Sequence, residues 1–142
     1  MRRHDLTMVR RCLPALLVTF ALLSCSDSTA PERRAVGIWR LQTVNGQALP
    51  FNLESSAGFK LELTGESLTL RESGSVDMIT TFRITDGGVV STESVPDSGS
   101  YTVNGSTVSF TFPSDGSTPL ATIEGDTMTL GDIGLTFVYR RE

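Results

Sequence analysis

Tyr101-Thr102-Val103-Asn104-Gly105-Ser106-Thr107-Val108-Ser109-Phe110 is the stretch whose reading decides the fold. Apolar and hydroxyl side chains alternate on both sides of an Asn-Gly pair. This is the pattern of two short strands joined by a tight turn, with 101–103 antiparallel to 108–110. The second half of the stretch recurs twice. Gly65-Glu66-Ser67-Leu68-Thr69-Leu70 and Gly125-Asp126-Thr127-Met128-Thr129-Leu130 repeat its order of Gly, polar, hydroxyl, apolar, hydroxyl, apolar. Each copy is expected to begin a strand just after a turn, where Gly accepts a positive φ that other residues resist. The alternation leaves each strand with one apolar and one wet face.

Outward from these echoes the same period of two continues. It predicts strands near 37–44, 58–64, 67–72, 76–85, 88–95, 100–103, 107–112, 119–124, 127–131 and 134–140. Val76, Met78, Phe82 and Ile84 share one face, as do Leu135, Phe137 and Tyr139. Val95-Pro96-Asp97-Ser98-Gly99-Ser100 reads as a turn, and residues 46–57 as a longer connection with room for a helical turn. The short connections favour an all-β antiparallel up-and-down meander. With about eight to ten strands, closure into a barrel removes the exposed edges that an open sheet would leave.

The N-terminus has a different composition. Residues 1–11 carry four arginines, and Cys12 to Ser24 form a 13-residue uncharged run. That run is too short to cross a bilayer core of about 30 Å as a helix, which takes roughly 20 residues. A basic segment followed by a short apolar one describes a secretory signal peptide. Ser28-Thr29-Ala30 would suit the ordinary peptidase, but Pro31 would then follow the cut. Leu22-Leu23-Ser24-Cys25 resembles the lipobox of bacterial lipoproteins, in which the cysteine thiol takes a diacylglyceryl group and the chain is cleaved just before it.

That resemblance implies a signal peptide at 1–24 and a lipidated Cys25 opening a flexible tether at 25–34. Acyl chains of the palmitate kind would hold the protein in a membrane without spanning it, since more than one chain is needed for stable attachment. It also implies a bacterial cell-envelope location. Ser26 at the +2 position, with Asp27 one place later, favours the outer membrane over the inner.

From Cys25 onward eight basic residues face fifteen acidic ones, a net charge of −7. Such a body is a poor partner for nucleic acid or anionic lipid. The only histidine is His4, and the only cysteines are Cys12 and Cys25. The mature chain therefore lacks the Ser–His and Cys–His nucleophile systems and the commonest zinc and haem ligands. No metal, no cofactor and no enzymatic activity are expected. Lys60 is the sole lysine. Glu124, Asp126, Asp132 and Asp86 sit at Gly-containing turns, where acidic residues are ordinary, although each could be half of an acid/base pair or part of a Ca²⁺ loop.

The domain opens Gly37-Ile38-Trp39-Arg40-Leu41-Gln42-Thr43-Val44-Asn45-Gly46-Gln47-Ala48-Leu49-Pro50 and closes Leu135-Thr136-Phe137-Val138-Tyr139-Arg140-Arg141. These ends resemble the lipocalin-like (calycin-type) domains of small bacterial lipoproteins, with G-x-W on the first strand, a V-N-G-x-x-L-P turn and an arginine ending the last strand. The resemblance implies a barrel over 35–142. Trp39, beside Gly37, would plug one end, and Arg140 or Arg141 would stack on it. Parity places Arg141 on the face of Phe137 and Tyr139. The alternative is a core tryptophan with two solvated arginines.

Two functions follow from the resemblance. A hollow barrel would carry a small apolar ligand at its mouth, with loops such as 46–57 and 113–118 around it. A filled one would serve as a protein–protein module, an inhibitor or envelope-assembly adaptor.

Overall fold

A computed structural model describes residues 31–142. The leader, the lipobox residues Leu22, Leu23 and Ser24, and Cys25 lie outside the described residues, as does the tether up to residue 30. Pro31–Ala35 form a single helical turn, α1, where the sequence suggested the end of the tether. Ten strands follow: β1 Gly37–Val44, β2 Gln47–Ala48, β3 Phe51–Ser56, β4 Phe59–Leu70, β5 Ser75–Asp86, β6 Val89–Asn104, β7 Thr107–Thr111, β8 Leu120–Glu124, β9 Thr127–Asp132 and β10 Leu135–Arg141.

All pairings are antiparallel, and from β4 to β10 each strand pairs with the next in sequence. β10 then pairs with β1, and the first half of β1 pairs with the end of β4, Gly37 opposite Leu70 and Arg40 opposite Ser67. These contacts close β1 and β4–β10 into an eight-stranded up-and-down barrel. β2 and β3 flank the closure, one hydrogen-bonded to β1 and the other to β4. Residues 46–57, expected as a connection, thus contain two strands and no helical turn.

The alternating pattern is buried as the sequence implied. Trp39, Tyr139, Phe110, Leu68, Leu70, Met128, Val44, Val76 and Val108 are each under 2 % exposed and fill most of the interior. Burying a side chain of this size contributes about 1.5–3 kcal/mol. The hydroxyl residues between them face outward.

Two of the Gly echoes act at turns. Gly105 (φ 63) and Gly125 (φ 60) are the first central residues of two-residue hairpins, between the pairs Asn104–Thr107 and Glu124–Thr127. The register around the first turn is Tyr101–Phe110, Thr102–Ser109 and Val103–Val108. The turn itself is Gly105-Ser106, one residue later than the Asn-Gly pair suggested. Gly65 differs. It makes no turn but lies at a bulge in the middle of β4, where pairing with β5 slips between Leu63 and Gly65. The two strands expected at 58–64 and 67–72 are therefore one strand of 12 residues.

A second fusion occurs in β6. Val95–Ser100 forms no turn and continues the strand through Pro96 and Gly99. β5 pairs along its whole length with residues 89–100 of β6, from Ser75–Ser100 to Asp86–Val89, whereas β7 pairs only with residues 100–104 of β6. The first part of β4, most of β5 and the first part of β6 consequently rise past the barrel rim as a wall, with β3 on its far edge. Leu49, Phe51 and Phe82 pack at the foot of that wall against the core.

Candidate functional site

The two ends of the barrel differ. At the closed end the Trp39 indole N–H donates to the Ala35 carbonyl at 2.8 Å, and the Arg141 guanidinium lies over the ring, 4.4 Å from its centroid. The same guanidinium donates to the carbonyl of Val36 at 2.6 Å and to that of Arg34, tying α1 to the last strand. Asp126 lies 3.5 Å from its Nε. Gly37 (φ 140) leaves the room this needs, since a Cβ there would come within 3.3 Å of the guanidinium. Arg140 takes no part in the stack. It is exposed and stands opposite Arg40 on β1. Gly37, Trp39 and Arg141 thus close this end of the barrel and take no part in the cavity at the other.

At the other end a cavity of about 120 Å³ opens between the wall and the loop after β7. Leu68, Met78, Phe112, Leu130 and Phe137 supply its apolar lining, and Glu66, Asp97, Asp115, Asp132 and Tyr139 its polar one. Of the two segments expected around the mouth, 113–118 contributes Asp115 and Ser117, while 46–57 contributes none of the lining. The loop is held down by its own backbone. Phe112 N–H bonds to Ser117 O at 3.0 Å, and Gly116 N–H to Phe112 O at 2.9 Å.

Glu66 is the residue the sequence did not single out. On a regular strand it would share the outer face of Glu62; the bulge at Leu63/Gly65 turns it inward, opposite Thr80. Thr80 Oγ1 donates to Glu66 Oε2 at 2.7 Å, and the Tyr139 hydroxyl donates to Oε1. Burial pushes the Glu66 carboxyl above its ordinary range, against the pull of these two hydrogen bonds. Burial also raises the Tyr139 phenol well above its usual value, and Glu66 adds to the effect. Both are held toward their neutral forms. Asp115 goes the other way: hydrogen bonds from Ser117 lower its pKa and keep it charged at the rim. Asp97 accepts from Ser114 Oγ at 2.6 Å and from the Ser98 N–H at 2.8 Å.

The remaining sequence candidates stay apart. Glu124 and Asp86 are exposed at their hairpins, and Asp126 faces Arg141 at the closed end. Lys60 pairs with Glu62 at 2.6 Å on the outer surface of β4. Among the described residues no group of three or more His, Cys, Asp or Glu side chains could hold a metal ion. No helix among them is long and apolar enough to cross a membrane.

Fold and cavity together define a small closed β-barrel, sealed at one end by a Trp–Arg stack and open at the other through a carboxylate-rimmed mouth. Compared with protein-family models, with curated proteins and with solved structures, the chain gives no match.

Proposed function

We propose that this chain is a lipid-anchored envelope lipoprotein whose lipocalin-like barrel binds one small ligand at its mouth without transforming it. The observation that carries the binding is the open cavity, with an apolar lining below and carboxylates above. Convergent polar groups over an apolar pocket are the usual make-up of a small-molecule site. The size of the cavity restricts the occupant. It is well below the roughly 300–1,000 Å³ of a pocket for a drug-sized molecule. The buried part of the ligand is therefore a short alkyl chain or a single ring. Its outer end meets Asp97, Asp115 and Asp132, which suit a cationic or hydrogen-bond-donating group. The anchor rests on the lipobox-like Leu22-Leu23-Ser24-Cys25 and on the basic and apolar leader before it. Ser26 favours the outer membrane.

Methyl NMR of the full-length chain tests the site. Cyclohexylammonium should give saturable shifts at Leu68, Met78 and Leu130, and cyclohexanecarboxylate should not. If neither probe nor cyclohexanol moves those methyls, the ligand reading fails. For the anchor, Cys25→Ala should abolish incorporation of labelled palmitate; persistent label would refute the lipobox.

A second reading is a protein–protein module with a filled barrel. The densely packed lower interior favours it, as does the outer edge of residues 89–99 in β6, which pairs with no strand among the described residues.

A further inference from the structure

Residues 89–99 of β6 pair with β5 on one side and, among the described residues, with no strand on the other. Geometry fixes what that edge offers. Asp86 and Val89 flank the two-residue turn Gly87-Gly88, so they form a hydrogen-bonded pair. Hydrogen-bonded and non-hydrogen-bonded pairs alternate along an antiparallel ladder. Ser91, Glu93 and Val95 therefore bond inward to β5, while Val90, Thr92 and Ser94 turn N–H and C=O to the open side. Pro96, opposite Ile79, belongs to the outward set, so the N–H it lacks is missing from the free edge. The next outward donor, Ser98 N–H, is taken by Asp97 Oδ1 at 2.8 Å. What remains is a short template bounded by the hairpin tip and by Pro96. Its side chains are exposed, with Val89 at 72 %, Val90 at 62 % and Val95 at 42 %.

We infer that this edge pairs with the same edge of a second copy of the chain, antiparallel and about a twofold axis at Thr92. In that register Val90 faces Ser94 of the second copy, Thr92 faces Thr92 and Ser94 faces Val90. All are outward residues, so three hydrogen-bonded pairs form. Each Val89 meets a Val95, and each Glu93 meets a Ser91, which sets apolar on apolar and no like charges together. Neighbouring registers are worse. An axis at Glu93 opposes the two Glu93 carboxylates and faces Val90 with Pro96, which has no N–H to give. An axis at Ser91 faces Val89 with Glu93 and sets both Ser94 residues against Gly88 in the hairpin turn, so only two hydrogen-bonded pairs form. The contact is isologous and closed, so it stops at two copies. Pro96 prevents the pairing from extending along the strand.

The full-length chain in detergent tests this with two variants. Opposed residues of a hydrogen-bonded pair stand about 5.5 Å apart at Cα, within the range a disulfide bridges. Thr92→Cys should give a reducible dimer on mild oxidation, beyond any formed by the wild type through Cys12 and Cys25. Thr102→Cys, exposed on the part of β6 inside the barrel, should give no such increase. Thr92→Pro removes one outward N–H that no group among the described residues uses. It should weaken the dimer seen by sedimentation at least tenfold while leaving the circular dichroism spectrum unchanged. A wild type that sediments as a monomer at several hundred micromolar would overturn the inference. So would Thr92→Cys failing to cross-link above the wild type, whether or not a different polypeptide co-sediments.

Discussion

Glu62 and Glu66 lie four residues apart on one strand and on opposite faces of it, because the bulge at Leu63/Gly65 inserts one residue between them. Outside, Glu62 accepts from Arg83 Nε at 2.8 Å and pairs with Lys60 at 2.6 Å. Inside, Glu66 accepts hydrogen bonds from the hydroxyls of Thr80 and Tyr139, and no cation among the described residues donates to it. The same side chain is thus held ionised on one face and toward neutrality on the other.

For Glu62, hydrogen bonds from Arg83 and then Lys60 bring the carboxyl down to about 2. A folded pKa below the unfolded one means that the unfolded chain binds the proton more readily. The stabilisation is present above the ordinary range near 4.5 and is lost as pH falls toward 2. Glu62→Gln should flatten that acid limb in urea titrations run from pH 6 to pH 2. An unchanged limb would remove Glu62 from the account.

For Glu66 the sign reverses. Its raised pKa means that the folded chain holds the proton longer, so stability falls as pH rises from about 4.5 through the folded value. Glu66→Gln keeps an acceptor for Tyr139 and carries no charge. It should be more stable than the wild type near pH 8, with the advantage shrinking as pH falls toward 4.5. Thermal melts across that range measure the difference directly.

Replacing Arg141 by Met should cost more than replacing Arg140. The stack on Trp39 is worth about 0.5–2 kcal/mol, and the bonds to the Val36 and Arg34 carbonyls go with it. Arg140→Met, at an exposed position, should change stability by less than about 0.5 kcal/mol. Trp39 is the only tryptophan, so its fluorescence during denaturation reports both unfolding and the loss of the stack.

Gly99→Ala should destabilise by about 1–3 kcal/mol, the usual cost of overfilling a packed site. A Cβ at Gly99 would stand 2.2 Å from the Thr111 carbonyl oxygen, so β6 and β7 would have to part just where their pairing begins. A denaturation midpoint equal to that of the wild type would show that the strands yield freely.

Ile133→Asn should stabilise. Ile133 (φ 42) and Gly134 (φ 79) form the turn between β9 and β10, with the isoleucine 87 % exposed. A left-handed conformation costs an ordinary L-residue roughly 1–2 kcal/mol, and Asn adopts it more readily. A gain of about 0.5–1.5 kcal/mol in chemical denaturation is expected.

The all-β class, the meander and most strand positions were legible because a strand buries every second residue, and that period is written directly into 101–110 and 125–130. The hairpin register there could be counted from its centre outward, although Gly105-Ser106 rather than Asn104-Gly105 makes the turn. The face of Arg141 was legible for the same reason of parity. The mouth was less so. Its Leu68, Met78, Leu130 and Phe137 look like any core residues in sequence, and nothing local says which part of the core stays open.

Sequence alone determined the alternation, and with it the class of fold and the sides on which most residues lie. Tertiary structure decided what each interruption means. Gly65 and Gly105 open the same six-residue pattern, but Gly65 has the long β5 strand running past it and becomes a bulge, whereas Gly105 has no partner beyond it and becomes a turn. Pro96 reads as a turn residue and is instead tolerated inside β6, because no strand among the described residues pairs with its side. A backbone hydrogen bond needs a partner that lies far along the chain. The number of residues between Glu62 and Glu66 could be counted in advance; the slip that puts them on opposite faces exists only once β4 meets β5.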